Sequence, residues 1–537
     1  MTKESFHPHL ILYNAKIYNP GSVGLPLQTA LAVYGDRIQS VGLDSHILTL
    51  GDSTTKKINC HGHWLLPGLS DCHTHICEYA SRKIKVDLSA CRSLEEALKL
   101  IRGKVHSIPA GKWVTGGGWD KNLWGLADFP SKDSLDNITL KHFIALDSKD
   151  WHCLWVNTPV LQRCGIDDTA VDPAGGNIQR QPDSKEPKGI LKENAREIVY
   201  KKIPPLPSDQ LKKALADAFG EFHRYGITTA HTMESPDDYC IYHELNKEGN
   251  LGLRIFGYLP LSYLPNAENL QKNSAFQGHF LKICGIKIFA DGTLGSQTAD
   301  MIENFEDSSH AGIAVMPKDE LIQSIGQCID KRMPCAIHAI GDNANRKVLG
   351  AYEKYSAKSM SLKLRHRIEH AQLLQQADVA RFACCNVTAS MQPIHLASDI
   401  DLIKKFWGKR GEYAYAFGSL VKSGARVVFG SDTPVESFDP WKAIYTSIER
   451  KREVDPSNES FYPQQAVDLD SALTAYTQNA AWAVQEENHL GTITAGKFAD
   501  MIVIDQDICN SPPEILLNTK VLMTIQGGKI IYQDLDF

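Results

Sequence analysis

Residues 65–75 read LLPGLSDCHTH. A short apolar run turns at Pro67-Gly68, and Asp71, His73 and His75 then occupy alternate positions. On a strand, residues two apart project from one face, so His73 and His75 aim two imidazoles at a common point. Such a pair begins a divalent transition-metal site. Asp71, one step deeper on that face, would orient a ligand. The other reading is two polar residues at the end of an ordinary strand. The choice depends on whether later strands bring ligands to the same place.

Several do. Between residues 227 and 434 the strand candidates are ITTAHTM, LRIFGYLP, LKICGIKIFADG, PCAIHAIGD, KLRHRIEHAQ, NVTASMQP and ARVVFGSDTP. With the His73 strand they make eight, alternating with helices, which predicts a (β/α)₈ TIM-type barrel. Barrel active sites form at the carboxyl ends of strands. There lie Lys287, His338, His370 and Asp432, each alone compatible with a structural role. In KICGIKIFADG, Cys284, Ile286, Ile288 and Ala290 face the outer helices, whereas Lys287 and Asp291 face inward. A buried ammonium is costly, so Lys287 is either paired with Asp291 or neutral and carboxylated by carbon dioxide. The ordered set is hard to reconcile with coincidence.

The remaining chain frames this barrel. LILYNAKIY and TALAVYGDRIQSVG near the start, and FADMIVIDQD and VLMTIQGGKIIYQ near the end, read as short strands with turns at Tyr34-Gly35-Asp36 and Gly527-Gly528. They predict one small β-sandwich domain from residues 1–66 and 485–537, with Pro67-Gly68 leading into barrel strand one. The barrel is expected over 67–484. The stretch from His75 to Lys287 is too long for three barrel steps, so an inserted subdomain is expected at about 80–215. A capping-box start at Ser93 and Glu96 opens a helix there. Trp113, Trp119, Trp124, Trp151 and Trp155, five of the nine tryptophans, would wall a pocket or fill the insertion's own core.

Composition bounds the class. At 537 residues more than one domain is expected. The net charge of -6 provides no basic surface for nucleic acid or membrane. The first twenty residues lack a secretory apolar core, and no run reaches a membrane span. Thirteen scattered cysteines without a C-x-x-C pair predict reduced thiols and a cytoplasmic protein.

Taken together, "LLPGLSDCHTH", "GIKIFADGTLGSQTA", "IHAIGDNAN", "RIEHAQ", "MQPIHLASD" and "VVFGSDTPV" resemble the motifs of the amidohydrolase superfamily, in order, and within it the YtcJ-like metal-dependent hydrolases. "GGGWDKNLW" and "DWHCLWVNTPVL" resemble that group's insertion. "NAAWAVQEENHLGTITAGKFADMIVID" resembles its return to the terminal domain. The resemblance implies His73 and His75 on one metal and His338 and His370 on another. Lys287, carboxylated, would bridge them, with Asp432 on the first metal and acting as general base. Two zinc ions are implied, with manganese or iron as alternatives, and a small-molecule substrate with a non-peptide C–N bond. Trp119, His152 and Asp291 are the expected substrate contacts, and a homodimer the expected assembly. The competing readings are a mononuclear deaminase on the same fold, disfavoured because no Glu follows His338 at the third position, and an inactive scaffold.

Overall fold

A computed structural model describes residues 7–21, 28–204, 206–306, 308–454, 459–535 and 537. It divides into two compact units. One comprises Met1–His75, Ala216–Ala290 and Lys318–Phe537, the other Ile76–Leu215 and Asp291–Pro317.

The first unit holds eight parallel strands in sequential order: β1 (Leu69–Thr74), β2 (Ile227–Met233), β3 (Arg254–Pro260), β4 (Leu281–Phe289), β5 (Cys335–Ala339), β6 (Arg367–His370), β7 (Thr388–Met391) and β8 (Val427–Phe429). The sheet returns on itself beyond β8. Asp432 N–H donates to the His73 carbonyl at 2.7 Å, and His75 N–H to the Thr433 carbonyl at 2.9 Å. This is the TIM-type barrel expected from the pattern. The helix before β2 spans Ser208–Arg224. It ends at Gly226, whose φ of +77° suits glycine.

The same unit contains two smaller sheets. Strands Leu10–Tyr13, Ala30–Tyr34, Arg37–Gly42 and Lys56–Asn59 form one. The other joins Lys16–Ile17 and Trp64–Pro67 to Met501–Ile504, Val521–Gln526 and Lys529–Gln533, so both ends of the chain share a sheet. Leu10, Leu12, Leu31 and Val33 of the first sheet share a buried cluster with Leu65, Met501, Val503, Met523 and Ile525 of the second. Strand Trp64–Pro67 passes into β1 through the single residue Gly68. A side chain there would bring its Cβ to 2.4 Å from Thr228 Oγ1, so the approach of β1 to β2 requires glycine.

The second unit is built on a six-stranded sheet: Gly176–Arg180, Pro187–Glu193, Cys153–Val156, Phe143–Ser148, Trp113–Trp119 and Val86–Asp87, in that spatial order. Its helix Leu94–His106 starts as predicted, with Ser93 Oγ accepting from Glu96 N–H. The Glu96 carboxylate, however, accepts from Arg92 N–H at 2.7 Å. Residues 291–317, assigned to the barrel by the sequence reading, return to this unit. They are tied there by Thr293 Oγ1, which donates to Asp150 at 3.3 Å. Trp119, Trp124 and Trp155 pack with ring centroids 6.3–6.5 Å apart. Trp119 is 1% exposed and its N–H donates to the Leu146 carbonyl. It packs as a core residue, with its polar atom committed to that bond. Among the described residues, no helix is long and apolar enough to cross a membrane.

Candidate metal centre

The ends of β1, β4, β5, β6 and β8 bring charged and imidazole groups together inside the first unit. His73, His75 and Asp432 each offer one ligand atom, all within 4.8 Å of one another. Asp432 Oδ1 lies 3.5 Å from His73 Nε2 and 3.2 Å from His75 Nε2. A second group, within the same limit, is His370, His395 and again Asp432. The carboxylate of Asp432 thus stands between two ligand sets. Its backbone has a φ of +59°, and His370 and Ala371 have φ values of +72° and +45°. Left-handed backbone at non-glycine residues costs free energy and tends to persist where the surroundings impose it, commonly at functional sites.

Three of these imidazoles are oriented by an acceptor at Nδ1. His73 Nδ1 is 2.6 Å from Glu369 Oε2, His75 Nδ1 is 2.8 Å from the Met233 carbonyl, and His370 Nδ1 is 2.8 Å from Gln392 Oε1. A neutral imidazole with its proton on Nδ1 carries its lone pair on Nε2, the atom that binds a metal. Glu369 is itself fully buried and held by Arg367 through Nε at Oε1 and Nη2 at Oε2.

The electrostatics favour neutral donors. Burial, then the charge of Lys287, pushes His73 down to about 4. Burial and His338 hold His370 well below the usual imidazole range. Burial lowers Lys287 to about 8, although Glu369 and Asp432 oppose it. Burial works against ionisation of Asp432, but His73, His75 and His370 together keep it well below the usual carboxylate range. Neutral imidazoles around an ionised carboxylate form a donor set that fits a divalent transition metal. His395 strengthens that fit. Its Nε2 is buried, 3.9 Å from Asp432 Oδ2, and without a hydrogen-bond partner among the described residues.

The remaining sequence candidates divide between the units. The His338 ring lies 4.5 Å from that of His370, and Lys287 is buried in the same barrel interior. His152 belongs to the second unit, where its Nδ1 meets Glu193 Oε2 at 2.8 Å and its N–H donates to Asp150. Asp291 is also in that unit and accepts from Asp300 N–H at 2.9 Å. Asp71 does not orient an imidazole. It accepts from Ser431 N–H and Oγ at 2.9 and 2.6 Å and so joins β1 to the turn after β8. Burial raises it to about 7. Glu369 and Gln392 orient the candidate ligands His73 and His370; the motifs RIEHAQ and MQPIHLASD contain these two residues and His395 without revealing what they touch.

An eight-stranded barrel with imidazoles and a carboxylate at its strand ends defines the metal-dependent hydrolase type of site. The amidohydrolase family model matches residues 56–532, and the chain belongs to that family. It is 28% identical to the YtcJ protein of Bacillus subtilis, over 93% of this chain and 97% of that one. It is 25% identical to the N-substituted formamide deformylase of Arthrobacter pascens, over 94% and 95% of the two chains. The solved structure of a metal-dependent hydrolase from Pyrococcus furiosus is 26% identical, covers 94% of this chain and 99% of its own, and superposes with a TM-score of 0.72.

Proposed function

We propose that this protein hydrolyses a non-peptide C–N bond, of an amide, formamide or cyclic amide, in a small molecule. The convergence of His73, His75, His370 and Asp432 carries the reading. The likeness to a formamide deformylase supports the bond class. His73, His75 and Asp432 would hold one divalent ion and His338 and His370 a second, with Lys287, carboxylated, between them. Zinc suits these donors best, and manganese or iron are alternatives. When bound, such ions polarise a carbonyl and lower the pKa of water to about 7.

The chain's own residues supply the rest. Asp432, ionised and shared by both ligand groups, accepts a proton from the attacking water as its oxygen bonds to the carbonyl carbon. It returns that proton to the departing amine nitrogen as the C–N bond breaks. Glu369 and Gln392 position His73 and His370. His152, held by Glu193, is the substrate-recognising group we favour in the second unit. We further read the two terminal sheets as one β-sandwich, on the strength of their common buried cluster.

The deciding experiment is metal quantitation on purified protein coupled to a hydrolysis screen of N-formyl, N-acyl and cyclic amides. Bound metal with amine release from at least one class is expected. Ammonia release from aminated heterocycles, with no amide hydrolysis, would replace this reading by deamination.

A further inference from the structure

A second cluster of ligand-type side chains lies at the opposite end of β4 from Lys287. His279, two residues before that strand, meets Glu486 and His489 from the turn that follows the last barrel helix. Each offers one ligand atom, and these atoms lie within 4.8 Å of one another. Six residues of extended strand separate Leu281 from Lys287, about 20 Å. The cluster is therefore distinct from the centre described above, and its residues have no part in the chemistry proposed there.

Three features mark it as more than a chance grouping. Glu486 is buried, and its turn is fixed by a hydrogen bond from His489 N–H to its own carbonyl at 2.8 Å. Its two carboxylate oxygens are divided: Oε1 receives the Lys282 ammonium at 2.9 Å, and Oε2 lies 2.9 Å from His279 Nδ1. Lys282 also donates to the Val484 carbonyl at 3.0 Å, so it is committed to one side of the carboxylate. Finally, His489 Nδ1 is buried without a hydrogen-bond partner among the described residues. A buried ring nitrogen left unsatisfied calls for an absent partner. The Phe498 ring, 5.1 and 5.8 Å from the His279 and His489 rings, gives the cluster an apolar floor.

The geometry points to a second site for a divalent transition metal of the zinc class, on His279, Glu486 and His489. Two imidazoles and one carboxylate select zinc, nickel or copper over magnesium or calcium, which prefer all-oxygen shells. Glu486 binds through one oxygen, while Lys282 holds the other and orients it. Ligand atoms around a tetrahedral ion lie about 3.4 Å apart. The 2.9 Å His279–Glu486 contact is already close to that spacing, and His279, whose side chain is 47% exposed, has room to adjust. Binding replaces the His279–Glu486 contact. A fourth position is left for water, which makes the ion exchangeable. Its effect is to clamp the start of β4 to the turn that leads back to strand Met501–Ile504.

The test uses full-length protein whose barrel centre is already loaded, titrated with ZnCl2 alone. Wild type is compared with His279→Ala and His489→Gln by calorimetry and by metal counting after desalting. Wild type should take up one zinc equivalent more than either variant and show a rise of a few degrees in Tm that both variants lack. Turnover without added zinc should be equal in all three. Equal zinc uptake by all three proteins overturns the proposal. If a variant fails to fold, wild-type crystals soaked in ZnCl2 decide. Anomalous density joining the three side chains supports the site, and its absence there overturns it.

Discussion

His73 with Glu369 and His152 with Glu193 are the same two side chains placed in different surroundings. In each pair the imidazole Nδ1 lies against a buried carboxylate, at 2.6 Å in the barrel and 2.8 Å in the second unit. Their protonation goes opposite ways. Burial and Lys287 push His73 down to about 4. Burial also acts against charge on His152, but Glu193 and then Asp150 outweigh it and raise the imidazole above its ordinary 6.5. Each imidazole also meets a second carboxylate, Asp432 for His73 and Asp150 for His152; what sets His73 apart is Arg367 in direct contact with Glu369 and the charge of Lys287. A glutamate beside a histidine does not tell whether the imidazole is a lone-pair donor or a cation. The next charges along do.

That contrast can be broken in order of effect. Asp432→Asn, which keeps an oxygen donor but removes the base, should lower kcat by about 10²- to 10⁴-fold while metal analysis stays unchanged. Full turnover in this variant would remove Asp432 from the mechanism. Glu369→Gln should weaken metal affinity by about 10- to 100-fold and, by leaving Arg367 buried without its counter-charge, cost about 3–5 kcal/mol of stability. Competition with a chelator and denaturant unfolding measure the two losses separately. An unchanged chelator midpoint would show that Glu369 merely pairs with Arg367.

Glu193→Gln should have the smallest effect, and one that depends on pH. The folded His152 value lies above 6.5 and the folded Glu193 value below 4.5. The imidazolium's contribution is fully present below pH 6.5 and is lost as pH rises through the raised value. The carboxylate's contribution is present above pH 4.5 and is lost on acidification. The stability difference between wild type and Glu193→Gln should therefore peak between about pH 4.5 and 6.5 and shrink toward pH 9. A difference independent of pH would mean that His152 is not charged in the folded protein.

The sequence disclosed more of the barrel than of its supports. Lys287, His338, His370 and Asp432 could be picked out because each falls at or near the carboxyl end of a candidate strand, and strand alternation says which way a residue points. Glu369 and Gln392 were not. Glu369 acts on His73, 296 residues away, through a contact set by barrel closure and not by local pattern. His395 sits on the helix Pro393–Phe406 after β7, outside the strand-end rule that found the others. The packing of Trp119 was not legible, because a tryptophan-rich segment has the same composition whether it lines a pocket or fills a core. The return of residues 291–317 to the second unit left no mark, since GTLGSQTA reads as any loop after a strand.

Gly68 has a consequence for how the protein is made. The strand immediately before it, Trp64–Pro67, pairs with Met501–Ile504, so β1 is anchored by a partner that leaves the ribosome about 430 residues later. At about 5–20 residues per second this is a wait of roughly 20–90 s. Through that interval strand Trp64–Pro67 has its early neighbour Lys16–Ile17 and β1 gains its neighbour β2, but the edge that Met501–Ile504 covers stays open.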